Sequence, residues 1–414
     1  MNPSASRTRR TAAAVLAAAA TASALVVSTG AAQASAPPSA PPSAAVSASA
    51  DAAHADGARR GTRTDFHWTS TGPLISPDNP RSDDRTVYSV KDPTIVEVDG
   101  TYHVFATIST PDGWNMVQTS FTDWSQASTA PLHHLDASPI GPGYRAAPQV
   151  FFFEPQGLWY LVYQDGNGAY STTADISDPL SWSAPQHFYA DMPDIVQENI
   201  GDGYWLDFWN VCDDDKCYLF SSDDNGHLYR SETDLEDFPN GYDDEPTVIA
   251  LSDPDQNRLF EASNVYRIEG TGKYLLLHEA IGTDGRRWFR SWTSPSIDGE
   301  WEPLADSEER PYARSNNVSF TGTPWTQDIS HGELIRSNVD QEPTIDPCEP
   351  MRFLYQGLDP AAGGDYAQLP YRLGLLTADT ENPVSRLCRP ERPEHPRGGW
   401  GGWNRGGHGG HGPR

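Results

Sequence analysis

Four tyrosines set the frame of this chain. Tyr102, Tyr160, Tyr218 and Tyr274 lie 58, 58 and 56 residues apart, inside the aromatic-rich runs TYHVFAT, LWYLVYQ, KCYLFSS and KYLLLHE. A fifth run of the same kind, RFLYQGL, begins at Arg352. Each is preceded by one strand-like run and followed by another, with Asp-Gly or Asn-Gly turns marking several of the joins. A repeat near this length, made of short antiparallel strands, is how propeller blades read in sequence. A β-sandwich also gives short, evenly spaced strands, but it does not call for five equivalent units. The expected fold is all-β, a five-bladed β-propeller, with no sustained helical periodicity anywhere.

The register of the repeat points to a site. In a propeller the first strand of each blade lines the axis, so its opening residues crowd the mouth of the central channel. Ten to thirteen residues before the tyrosines stand Asp92, Ala147-Pro148, Asp207 and Glu261. The repeat thus predicts carboxylates from three blades at one equivalent axial position. His331 opens the first strand of the fifth unit, the place the acids hold elsewhere. Singly, an acid at a strand end is usually solvated or caps a turn, and a lone histidine is usually a satisfied core residue. Three carboxylates gathered in a partly dry pocket repel one another, raise a pKa and cost stability, an arrangement that catalysis explains better than architecture does. Asp223 and Asp224 compete for the third role. They fall between the second and third strands of their blade, read as a turn away from the axis, and so Asp207 is preferred.

Two carboxyl groups flanking a glycosidic bond are the standard apparatus for sugar hydrolysis, one as base and one as acid. Aromatic residues that could stack on sugar rings are plentiful, and Trp114, Tyr144, Trp325 and Tyr366 lie in loop-like segments. Long insertions at 112–145 and 189–204 are suited to shaping a binding rim.

The ends of the chain read differently. Residues 1–34 carry Arg7, Arg9 and Arg10, a mild Ala/Thr-rich apolar run and Ala32-Gln33-Ala34. These are the features of a secretory signal, and the arginine pair hints at twin-arginine export. Residues 35–64 form an Ala/Pro/Ser-rich linker and 389–414 a Gly/His-rich tail, leaving 65–388 as the folded domain. The expected location is secreted and extracellular. A net charge of −28 argues against nucleic acid or an anionic membrane as partner, and a monomer acting on a neutral substrate is expected. Four cysteines in an exported chain should pair, and three pairings are possible. Cys212 and Cys217 flank the hairpin loop DDDK and are expected to bridge it, leaving Cys348 with Cys388. No Cys/His spacing suits zinc.

The segments VKDPTIVEVDGTYHVFAT, YRAAPQVFFF, YWLDFWNVC with CYLFSSDDNGHLYRS, LFEASNVYR, ISHGELIR and LPYRLGLLT, in this order across residues 65–388, resemble the catalytic domain of glycoside hydrolase family 62. The resemblance implies an exported α-L-arabinofuranosidase that removes arabinofuranosyl branches from arabinoxylan with inversion. It implies Asp92 of VKDPT as general base, Glu261 of LFEASNV as general acid and Asp207 of YWLDFW as the modulator of the acid's pKa. Lys91, Trp114, Tyr366 and Arg372 become candidates for substrate contact. It further implies a structural Ca2+ near the axis with His331 in its neighbourhood, and no organic cofactor. Ala367 stands where the family often carries Asn, which puts one backbone contact in doubt. The rival readings are a related five-bladed hydrolase acting on arabinan and a non-catalytic sugar-binding propeller.

Overall fold

Each of the five units folds as a sheet whose first three strands run antiparallel, in a computed structural model that describes residues 65–388. The chain opens with a short strand β1 (Trp68–Ser70). Blade one then runs through β2 (Ser89–Val98), β3 (Thr101–Thr110), β4 (Gly113–Phe121) and β5 (His133–His134). Blade two comprises β6 (Ala146–Phe153), β7 (Leu158–Gln164), β8 (Gly168–Thr173) and β9 (Gln186–His187). Blade three comprises β10 (Leu206–Cys212), β11 (Lys216–Ser222), β12 (His227–Asp234) and β13 (Val248–Ser252). Blade four is built from β14 (Glu261–Ile268), β15 (Lys273–Ile281), β16 (Arg287–Ser294), β17 (Glu302–Ser307) and β18 (Arg310–Pro311). After β19 (Val318–Phe320), blade five adds β20 (Ser330–Leu334), β22 (Arg352–Gly357) and β23 (Arg372–Ala378), while β21 (Thr344–Ile345) returns to pair with β14.

The first strands touch in a closed cycle, β20 to β2 to β6 to β10 to β14 and back to β20. That cycle makes the expected five-bladed β-propeller. Its closure was not foreseen from local pattern: β1 inserts into blade five between β23 and β19, so both ends of the domain share one sheet. Trp68 fixes it, buried and donating its indole N–H to the Tyr312 carbonyl at 2.7 Å. Apolar clusters fill the wedges between blades, and the largest spans residues of blades three, four and five. Both expected disulfides are present, Cys212–Cys217 and Cys348–Cys388. The insertion 189–204 contains one helical turn, Asp194–Asn199, too short to leave a periodic signal.

The axial strands share one irregularity. Each carries an extra residue near its start, between Lys91 and Thr94, Ala146 and Gln149, Leu206 and Trp209, Glu261 and Asn264, and Ser330 and Gly332. Such bulges bend a strand and re-aim its side chains. Asp92, Ala147, Asp207 and Ala262 sit in them with φ of 48°, 51°, 56° and 58°, a region that non-glycine residues occupy only under constraint. The constraint comes from the neighbouring blade. The N–H of Asp92 donates to Gln356 Oε1 (2.7 Å), that of Ala147 to Thr107 Oγ1 (2.8 Å) and that of Asp207 to Gln164 Oε1 (2.8 Å). His331 N–H donates to Glu279 Oε2 at 2.5 Å. In each case the acceptor lies in the last four residues of the second strand of the preceding blade.

The segments 1–34, 35–64 and 389–414, read above as signal, linker and tail, lie outside the described residues. Among the described residues no helix is long and apolar enough to cross a membrane.

Candidate active site

The bulges gather the predicted acids, with one correction of register. Asp92 and Asp207 are equivalent, but the fourth-blade residue in that place is Ala262. Glu261 lies one position earlier, opposite Glu279 in the ladder, and so corresponds to Lys91, which lies opposite Thr107. Strand alternation gives neighbouring residues different directions, so base and acid candidates leave their strands differently. Asp207 joins the two positions, since its Oδ2 accepts the N–H of Ala262 at 3.0 Å.

His331 is the meeting point on the axis. Its Nδ1 stands 3.5 Å from Asp92 Oδ1 and 3.6 Å from Asp207 Oδ2. Burial holds the imidazole pKa below its ordinary value against the pull of Asp92 and Glu261. Asp207 is displaced in the opposite sense. Burial, then Glu261, Asp92 and Asp224, push its carboxyl well above the usual range.

Asp224 requires a second correction. The sequence reads it as a turn away from the axis, yet it lies against Glu261, and burial followed by the Glu261 charge pushes its carboxyl up to about 9. The reason is strand polarity. First strands run away from the mouth and second strands return, so the turn into the third strand lies at the mouth itself. Asp223, by contrast, is structural. Its carboxylate is fully buried and accepts from the N–H groups of Asn225 and His227 and from the Tyr229 hydroxyl. Asp207 and Asp224, both facing Glu261, therefore retain a proton above the ordinary carboxylate range.

Polarity also explains a residue the sequence reading missed. Arg287 opens β16, the third strand of blade four, at the same mouth. One guanidinium nitrogen donates to Glu261 Oε1 at 2.9 Å and to Glu279 Oε1 at 2.7 Å. Burial alone would lower the arginine pKa, but the two carboxylates outweigh it and the charge is secure.

On the other flank Lys91 sits in an aromatic cage. Its ammonium lies 5.1 Å from the Trp114 ring, 4.9 Å from Tyr366 and 5.2 Å from Tyr371. It donates to the Tyr366 hydroxyl at 2.7 Å and stands 3.8 Å from Asp92 Oδ1. Three of the four candidate contact residues, Lys91, Trp114 and Tyr366, are thus brought together beside Asp92. Arg372 is not among them: its guanidinium stacks over Trp325 at 5.3 Å, and Tyr371 takes the place at the cage. Trp325 is itself a packing residue, buried against Tyr355 and donating to the Thr71 carbonyl. Tyr144 keeps an exposed ring while its hydroxyl accepts from Gln164 Nε2 at 2.5 Å. Ala367 donates its N–H to Asp365 Oδ1, a contact that needs no particular side chain at 367.

Below the acids a small cavity of about 10 Å³ is lined by Pro93, Pro148, Asp207, Ser263, Asn264 and His331, among others. Ser263 Oγ and Asn264 Oδ1 are buried there without a protein partner, which suits ordered water. Among the described residues no three His, Cys, Asp or Glu side chains converge at metal-binding range. The described residues therefore offer no carboxylate-rich inner shell for calcium, which takes six to eight oxygens.

The family model for glycosyl hydrolase family 62 matches residues 67–377. Alpha-L-arabinofuranosidase C of Cellvibrio japonicus (strain Ueda107) is 46% identical over 316 residues, covering 75% of this chain and 47% of that protein. The chain thus spans about half the length of that relative. The catalytic domain of a Coprinopsis cinerea GH62 alpha-L-arabinofuranosidase superposes with a TM-score of 0.73 at 60% identity, covering 76% of this chain and 98% of that one. A Podospora anserina alpha-L-arabinofuranosidase, solved with cellotriose, gives 0.73 at 56% identity over 78% and 99% of the two chains. A GH62 hydrolase solved with xylotriose gives 0.73 at 53% identity over 77% and 98%.

Proposed function

The chain belongs to glycosyl hydrolase family 62, and from that membership we propose that it is an exported, inverting α-L-arabinofuranosidase acting on the arabinofuranosyl branches of arabinoxylan. The observation that carries the reading is the meeting of Asp92, Asp207 and Glu261, from three blades, at one bulged mouth. The names of the similar proteins supply the sugar, and the xylotriose and cellotriose in two of their structures support a β-1,4-linked backbone as the chain beside it.

In this account Asp92 takes a proton from water as the water attacks the anomeric carbon. Glu261 gives a proton to the departing xylose oxygen. Asp207 and Asp224 keep a proton in the set at a pH where isolated carboxylic acids have lost theirs. Lys91, held by its three rings, presents one charge beside the base and the arabinose hydroxyls, with Trp114 and Tyr366 as the ring wall. Calcium, if bound, would lie in the neighbourhood of His331 and would supply a fixed positive field; no step depends on it. The chain acts as a monomer outside the cell.

The test is product analysis with variants. The wild type releases free arabinose from arabinoxylan and leaves the xylan backbone intact, and Asp92→Asn abolishes release by about a thousandfold or more. Release of arabinan oligomers from linear arabinan would move the enzyme to another polymer. Binding of arabinoxylan with no sugar released would make it a lectin-like propeller.

A further inference from the structure

Glu279 stands out against its counterparts in the other blades. The residue facing the bulge across the first ladder is Thr107, Gln164, Ser222, Glu279 and Gln356 in blades one to five. Thr107, Gln164 and Gln356 accept the next blade's bulge N–H with a neutral oxygen. Glu279 performs the same task for His331 with a carboxylate. An amide suffices for the clasp, so the clasp does not explain the charge. Nor is the charge cheap, because the side chain is fully buried and an ionised group there costs several kcal/mol unless paired.

Its pairing supplies the explanation. Glu279 Oε1 accepts from the same Arg287 nitrogen that reaches Glu261 Oε1. Arg287 is further fixed by Phe260, whose ring lies 4.3 Å below the guanidinium, and by its backbone N–H, which donates to Asp328 Oδ1. An arginine committed to Glu261 alone would hold that carboxylate ionised and spoil it as a proton donor. Shared with a second carboxylate, the same arginine orients Glu261 while part of its charge is answered elsewhere.

We propose that Glu279 is a positioning residue for the proton donor, taking up the Arg287 charge so that the guanidinium aims Glu261 without neutralising it. The inference rests on the reading of Glu261 as general acid. Ser330, whose hydroxyl donates to both Glu279 oxygens at 3.1 and 3.0 Å, completes the carboxylate's shell.

Substitution Glu279→Gln tests it, since glutamine already serves the clasp in blades two and five. Rates are compared on an arabinoxylo-oligosaccharide, whose leaving oxygen needs a proton, and on a 2,4-dinitrophenyl arabinofuranoside, whose leaving group does not. Expected is a loss of roughly tenfold or more in kcat/KM on the oligosaccharide with less than about threefold on the aryl substrate. Arg287→Lys, which keeps the charge but loses the planar guanidinium that packs on Phe260 and fixes the shared nitrogen, gives the same selective loss and supplies the answer should E279Q not fold. Equal losses on both substrates, or none on either, overturn the proposal. Glu261→Gln is the control: if it shows no selectivity for leaving group, the general-acid reading falls, whereas selectivity there and none in E279Q or R287K removes only the role of Glu279.

Discussion

At the residue scale, the site depends on carboxyl groups pressed together and kept partly protonated. Glu261→Gln should reduce arabinose release from arabinoxylan by about a hundredfold or more while largely sparing aryl arabinofuranosides, measured as kcat/KM on both. A second prediction concerns Asp224. Its folded-state pKa is raised from 3.8 to about 9, so the folded protein binds this proton more tightly than the unfolded chain does. That contribution to stability is complete below pH 4 and is lost as pH rises through about 9. Asp224→Asn should therefore flatten the fall in Tm between roughly pH 5 and pH 9, and an unaltered slope would contradict the assignment. Asp92 and Asp207 were legible in the sequence because they lie near the start of a strand, ten or eleven residues before a periodic tyrosine. Glu261 was legible as a residue but not in register, since a bulge inserts one position without any sequence signature of its own. Asp224 and Arg287 had a usable signal, the polarity of a three-stranded blade, which brings the start of every third strand to the mouth. Glu279, at the end of a second strand, falls under the same rule.

At the scale of elements, the bulge is the working part. A left-handed residue at the head of an axial strand is held by an acceptor from the preceding blade, and the side chain is thereby aimed at the axis. Gln164 shows how far one clasp reaches: its Oε1 takes the Asp207 N–H, and its Nε2 donates to the Tyr144 hydroxyl at the rim. Gln164→Ala should leave a buried N–H unpaired and cost about 1–3 kcal/mol in chemical denaturation. It should also lower activity, because Asp207 loses what holds its backbone. Unchanged stability and rate would mean that the φ of 56° at Asp207 is set elsewhere. The clasps were invisible in sequence because Thr107, Gln164 and Gln356 read as ordinary strand ends. The strands themselves were plain, since alternating aromatic and β-branched runs between Asp-Gly and Asn-Gly turns have few other uses.

At the scale of the whole molecule, five wedges must close for the mouth to exist. Closure rests on β1, a three-residue strand paired with β23 and β19 at separations of hundreds of residues, and no local pattern announces a partner so distant. Trp68→Ala removes the buried indole and its bond to Tyr312. It should destabilise the domain by about 3–5 kcal/mol, read by denaturant unfolding, with a loss of activity that follows the loss of folded protein. Closure also makes the chemistry collective, because the base candidate comes from blade one, the modulator from blade three and the acid candidate from blade four.

The central claim, single displacement with Asp92 activating water and Glu261 releasing the sugar, is met most directly by proton NMR in the first moments of arabinoxylan digestion. The account predicts that β-L-arabinofuranose appears first and then equilibrates, with loss of branch anomeric signals and an unbroken xylan backbone. Initial appearance of α-L-arabinofuranose would mean retention through a covalent intermediate and would contradict it.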